Sequence, residues 1–229
     1  MGFCVSIMNL LDFIFPRTCA GCGSIGAYLC SNCIGKIESF GTQICPVCTK
    51  PSIFGVTHPR CSTKLSLDGL HSFVYYKAPV TKALYRLKYK FVKDFATDLV
   101  SNIKLTLPNF LESYTLITVP LHKRRENWRG FDHTEELART ISEKLNLIYE
   151  SGVLKRKKPT KSQVGLSKMA RAENVRYAFE VFDKNKVFDK NFLVFDDVWT
   201  SGATLKNCGY SLKRAGAKSV WGLTLARSR

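Results

Sequence analysis

The segment from Phe192 to Leu205, FLVFDDVWTSGATL, constrains the fold of this 229-residue chain more than any other. Its first four residues, Phe192-Leu193-Val194-Phe195, form the continuous apolar run of a strand buried in a parallel sheet. Two adjacent carboxylates end the run, Asp196 and Asp197. A loop of small residues follows, Thr200-Ser201-Gly202-Ala203-Thr204, and a helical pattern begins near Leu205. A strand that feeds such a loop into a helix start makes a phosphate cradle, because free backbone N–H groups and the positive end of the helix dipole face the anion. In open α/β sheets, ligands lie outside the carboxyl ends of the strands, where the two acids suit the hydroxyls of a sugar. A ribose diol on Asp196 and Asp197, with its 5′-phosphate in the loop, is the simplest ligand that uses both. No G-x-x-x-x-G-K-[ST] or G-x-G-x-x-G occurs, which excludes a Walker A loop and a dinucleotide fingerprint.

The same residues resemble the phosphoribosyl pyrophosphate (PRPP) signature of type I phosphoribosyltransferases: apolar run, two acids, then T-[ST]-G-[GA]-[ST]. The resemblance implies an α/β fold, a type I phosphoribosyltransferase-like parallel sheet with helices on both faces. It also implies PRPP, carried with Mg2+, as the ligand.

Cysteine usage is concentrated elsewhere. Eight of the nine cysteines precede residue 62, as Cys19-x-x-Cys22, Cys30-x-x-Cys33, Cys45-x-x-Cys48, Cys61 and Cys4. No secretory signal is apparent, so a reducing cytoplasm is expected, where paired C-x-x-C spacing means zinc rather than disulfides. Cys19, Cys22, Cys30 and Cys33 make one Cys4 set. Cys45 and Cys48 make a second with His58-x-x-Cys61. Tandem pairing is expected, and an interleaved arrangement fits the same spacing. Such sets leave no open coordination position, so one or two structural zincs are expected rather than a catalytic one. The first sixteen residues have helical apolar spacing but are too short to span a bilayer. They predict a short amphipathic helix (1–16), followed by a double zinc-ribbon module (17–68) and the phosphoribosyltransferase-like domain (69–229).

Charge is uneven as well. The chain carries 35 Lys+Arg against 18 Asp+Glu, for a net charge of +17. Residues 1–70 hold only 5 and 3 of these, so the surplus lies on the larger domain. A small phosphate ligand does not require such an excess, whereas a nucleic acid would use it. Val80 to Phe95 reads as a basic amphipathic helix, with Lys82, Arg86, Lys90 and Lys93 as candidate DNA contacts. Tyr85 and Tyr89 lie one turn apart among them, and basic residues mixed with aromatics suit a single strand. Strands are expected at Phe73–Tyr76, Leu116–Pro120, Asn174–Phe182 and Val220–Leu225, and a helix at Thr134–Leu145. The basic loop after Pro120 belongs on the ligand face. His122, Arg125 and Arg129 there, with Lys161 in a basic stretch that reads as a mobile lid, are candidate pyrophosphate contacts.

In order, the zinc knuckles, L-K-Y (Leu87 to Tyr89), V-P-L-H (Val119 to His122), R-G-F (Arg129 to Phe131), Q-V-G-L-S (Gln163 to Ser167), R-x-x-N-V-R (Arg171 to Arg176), the D-D signature, R-A-G-A and L-T-L-A-R (Leu223 to Arg227) resemble the ComF family of competence proteins. The resemblance covers nearly the whole chain. It implies a cytosolic role in natural transformation, handling incoming single-stranded DNA, with competence helicase and DNA-processing proteins as partners and no stable membrane insertion. The alternative it leaves is an active phosphoribosyltransferase acting on an unknown acceptor. Two departures stand out: Asp132-His133 occupies the usual N-Q position after R-G-F, and His58-x-x-Cys61 replaces a final C-x-x-C.

Overall fold

The computed structural model describes residues 16–89, 94–120, 132–156 and 178–228. At its centre is a four-stranded, all-parallel sheet formed by β3 (Gly69–Tyr75), β4 (Thr115–Thr118), β7 (Asn191–Trp199) and β8 (Ser219–Arg227), in the order β3-β8-β7-β4. The apolar run in β7 explains its central place. Phe192, Leu193, Val194 and Phe195 are all fully buried, so both faces of that strand need cover.

Helices supply it. On one face, α2 (Val80–Tyr89), α3 (Asp94–Ser101) and α4 (His133–Leu145) pack Leu84, Leu99 and Ile141 against Leu193, Phe195 and Leu223. On the other, α5 (Ala203–Arg214) and a hairpin of β5 (Leu154–Arg156) and β6 (Phe179–Val181) pack Leu205, Cys208 and Phe179 against Phe192 and Val194. The expected helix over Val80–Phe95 is thus described as two: α2 ends at Tyr89, and Phe95 is buried on α3. The predicted strand at Asn174–Phe182 is described only as β6.

The helix ends are set locally. Asp132 caps α4, its carboxylate accepting from Thr134 N (2.8 Å) and Glu135 N (3.1 Å). Lys144, in the last turn of α4, donates to the carbonyls of Val100, Ser101 and Ile103 at 2.8–2.9 Å, placing a cation at the C-terminal end of α3.

The cysteine-rich region lies against the outer edge of β3. It contains α1 (Ser31–Ile34), β1 (Gln43–Ile44) and β2 (Pro51–Ser52). Residues 38–40 pair with β3 in antiparallel fashion, with Phe40 N donating to Phe73 O and Tyr75 N to Glu38 O. The buried Gln43 side chain continues the ladder, donating to Ser72 O and accepting from Ser72 N, both at 3.0 Å. Farther along, Gly55 presses on β3 so closely that a Cβ would sit 1.9 Å from Leu70 O, which only glycine permits. Among the described residues, no helix is long and apolar enough to cross a membrane.

Candidate functional site: the carboxyl edge of the sheet and two metal centres

Two connections diverge at the carboxyl end of the sheet. The chain leaving β4 continues to α4 on one face, and the chain leaving β7 enters α5 on the other. Such a divergence opens a crevice at the strand ends, the usual ligand position in an open α/β sheet.

Asp196 and Asp197 lie at this end, but β7 does not stop at them. It continues to Trp199, with Asp196 in register with Thr224 and Val198 with Ala226. The pleat therefore divides the acids. Asp196 lies on the α5 side, where its charge acts on the buried Cys208. Asp197 lies on the α2–α4 side, where its Oδ2 meets the Lys88 ammonium and the His133 Nε2, the latter at 3.8 Å. Asp197 N donates to Asp196 Oδ1 at 2.9 Å, tying the two together.

Their electrostatics diverge accordingly. Burial and the neighbouring negative charge of Asp197 push the Asp196 carboxyl up to about 7. Burial also works to raise Asp197, but His133 and Lys88 outweigh it and hold that carboxyl well below the usual range. Asp197 is therefore the fixed anion of the site and Asp196 its proton-accepting partner.

The loop takes the shape expected of a cradle. Thr200 and Ser201 are exposed, and Gly202 is the N-cap of α5 with φ +71. The helix thus starts at Ala203, earlier than the sequence pattern suggested, and its first-turn N–H groups have no partner within the helix. A Cβ on Gly202 would meet the Trp199 ring at 2.1 Å. That buried indole, with the Lys206 ammonium 5.4 Å from its centre, is the floor of the loop.

Lys88, His133 and Trp199 were not among the predicted site residues. The signals for them were present: Lys88 is the centre of L-K-Y, and His133 is half of the unusual D-H pair. Asp132 spends its carboxylate on capping α4, which places His133 at the first helical position, facing Asp197. Four predicted pyrophosphate contacts, His122, Arg125, Arg129 and Lys161, lie outside the described residues, as do Lys90 and Lys93. Lys82 and Arg86 face the ribbon. Lys82 Nζ donates to Gly21 O at 2.9 Å, and the Arg86 guanidinium donates to Thr18 O and Thr18 Oγ1. Their positions are those of clamps on the first knuckle, which gives them a role the charge pattern did not indicate.

The cysteines gather in tandem, not interleaved. Cys19, Cys22, Cys30 and Cys33 form one cluster, and Cys45, Cys48, His58 and Cys61 another, with the ligand atoms of each all within 4.8 Å of one another. Tetrahedral zinc with bonds of about 2.3 Å requires sulfur–sulfur edges of about 3.8 Å. Cys22 Sγ and Cys30 Sγ are 3.7 Å apart. In the second cluster, His58 Nδ1 is 3.3 Å from Cys48 Sγ, while its Nε2 lies 3.1 Å from Pro51 O. A proton on Nε2, donated to that carbonyl, leaves Nδ1 free to bind metal. Both donor sets fit structural zinc, with all four positions filled by protein.

Residues 10–63 match a double zinc ribbon domain. Competence protein F of Haemophilus influenzae is 29% identical over 213 residues, covering 86% of this chain and 90% of the relative. Competence protein ComFC of Bacillus subtilis is 27% identical over 215 residues, covering 87% and 84%. The DNA utilization protein YhgH of Escherichia coli K12 is 26% identical over 210 residues, covering 87% and 90%. Among solved structures, an allosteric regulatory enzyme of purine biosynthesis is 16% identical with a TM-score of 0.38, covering 81% of this chain and 31% of its own. The chain is homologous to competence protein F, ComFC and YhgH over most of its length.

Proposed function

We propose that this homologue of the competence proteins F and ComFC acts in the cytoplasm in natural transformation, handling incoming single-stranded DNA, and that its sheet-end site binds PRPP. The observation that carries the ligand reading is Asp197, held ionised by Lys88 and His133 at the same sheet end as the glycine-capped start of α5. An anionic oxygen acceptor and an anion cradle together match a ribose diol with a 5′-phosphate. In this reading Asp197 accepts from the diol, Asp196 orients it, and the first-turn N–H groups of α5 meet the phosphate. Mg2+ is a hard, oxygen-seeking cation, which suits the Asp196 carboxylate and the pyrophosphate oxygens of the ligand. The DNA-handling reading is supported by the names of the relatives and by the surplus of positive charge.

Calorimetric titration of the zinc-loaded protein with PRPP and Mg2+ tests the site. Saturable binding is expected, weakened at least about tenfold in Asp196→Asn/Asp197→Asn, since each charged hydrogen bond is worth about 1.5–3 kcal/mol. Unchanged affinity in that variant, with the fold intact, would remove the ribose assignment.

A further inference from the structure

Several large aromatic side chains gather where the ribbon meets the sheet, while Phe182 and Phe188 are exposed elsewhere. Tyr85 and Tyr89 stack with ring centroids 4.7 Å apart on α2 and are 65% and 43% exposed. Tyr85 edges a cleft of about 700 Å³ whose other walls are the first zinc knuckle and Tyr76. The next residue back, Tyr75, carries Phe40 against its ring at 3.8 Å and the Lys77 ammonium at 5.2 Å, a lysine that also pairs with Glu38. The Arg227 guanidinium lies 3.9 Å over Phe40. Phe40 in turn lines a second cavity of about 590 Å³, where Phe54, 61% exposed, meets Phe110 edge-on at 6.4 Å. The rings thus follow the junction of ribbon and sheet domain from one cavity to the other, and no acid lines either cavity.

Phe54 is presented outward by its backbone. Because Gly55 is jammed against Leu70 of β3, the preceding turn holds Phe54 at φ +53, a left-handed conformation unfavourable to a bulky residue. Maintaining an exposed ring at that conformational cost points to use of the ring.

Rings with Lys82, Arg86 and Arg227 beside them, in cavities that no acid lines, fit a partner with flat π faces and negative charge. Unpaired bases on a phosphate backbone have both, whereas in a duplex the base faces are already stacked. We propose that a single-stranded nucleic acid lies along this ribbon–sheet junction, its bases stacking on Tyr85 at one end and Phe54 at the other, an assignment that rests on the DNA-handling function proposed above. Lys82 and Arg86 then serve the interface indirectly, by fixing the knuckle beside Tyr85.

The test is fluorescence anisotropy of a labelled oligothymidylate with the zinc-loaded full chain, its Tyr85→Leu variant and its Phe54→Leu variant. Leucine keeps apolar bulk and removes the ring face. Each substitution should weaken binding about 5- to 150-fold, the equivalent of one lost stacked base. PRPP titration should be unchanged in both. Tyr85 is an exposed helix residue, so its variant stays folded even if Phe54→Leu disturbs its turn. Oligonucleotide affinity within about twofold of wild type in the Tyr85 variant would overturn the assignment while leaving DNA handling in place. Failure of the wild-type chain itself to bind the oligonucleotide would overturn both.

Discussion

Replacing Lys88 by Met isolates the charge that fixes Asp197. The two side chains are 27% and 10% exposed, so the pair is largely out of water. Unit charges about 3 Å apart attract by about 5 kcal/mol at an effective dielectric near 20. Breaking a buried pair by removing one partner costs about 3–5 kcal/mol. Lys88 keeps part of its chain in solvent, which reduces the expected cost to about 2–3 kcal/mol. The sign with pH follows from Asp197, whose folded pKa is depressed: its contribution is present above the ordinary carboxylate range and is lost as pH falls. The Lys88→Met penalty should therefore be full from neutrality down to about pH 4 and shrink only below that, as pH falls toward the depressed titration of Asp197. Urea unfolding of the zinc-loaded protein measures it, and the Asp197→Asn background supplies the control. There, Lys88→Met should cost less than about 0.5 kcal/mol, because no charge remains to be stranded. An equal cost in both backgrounds would mean that Lys88 acts through packing, and the account of Asp197 as a fixed anion would fail.

Metal analysis of the purified protein should give about two zinc ions per chain, falling to about one in His58→Ala, because three remaining ligands do not close a structural site. Retention of both ions in that variant would exclude His58 as a ligand. Gly202→Val places a branched Cβ against the Trp199 ring and forces a left-handed conformation costing about 1–2 kcal/mol beyond the clash. PRPP affinity by calorimetry should drop more than about tenfold, and wild-type affinity would show that the loop does not need this shape to bind.

Elements carrying a one-dimensional signal were legible before any coordinates. The apolar run of β7, the C-x-x-C spacing and the periodicity of α4 each depend on near neighbours in sequence. The tandem choice over the interleaved one was not legible, because both satisfy the same spacing and only the path of residues 34–45 along β3 decides between them. Separation of the two acids was also missed. Reading D-D as the end of a strand hides the pleat, which still alternates side chains at the two acids because the strand runs on past them. Lys88 and His133 come from helices dozens of residues away and meet Asp197 only through the crossover over one face of the sheet. Lys82 and Arg86 read as candidate DNA contacts, but the first knuckle packs on that face and supplies carbonyl oxygens for both.

Residues 38–43 have a consequence for the life of the protein before and after metal loading. β3 is an outer strand, buried from Gly69 to Val74, and its free side is closed by that segment, the Gln43 amide and the turn at Gly55 and Val56. The covering segment is anchored between the two cysteine clusters, so it stays in place as long as they hold their shape. Metal starvation would uncover a long apolar edge able to recruit a strand from another molecule. Zinc supply would then govern how much of this protein remains dispersed rather than self-associated, a quality-control dependence set by sheet geometry and independent of either ligand.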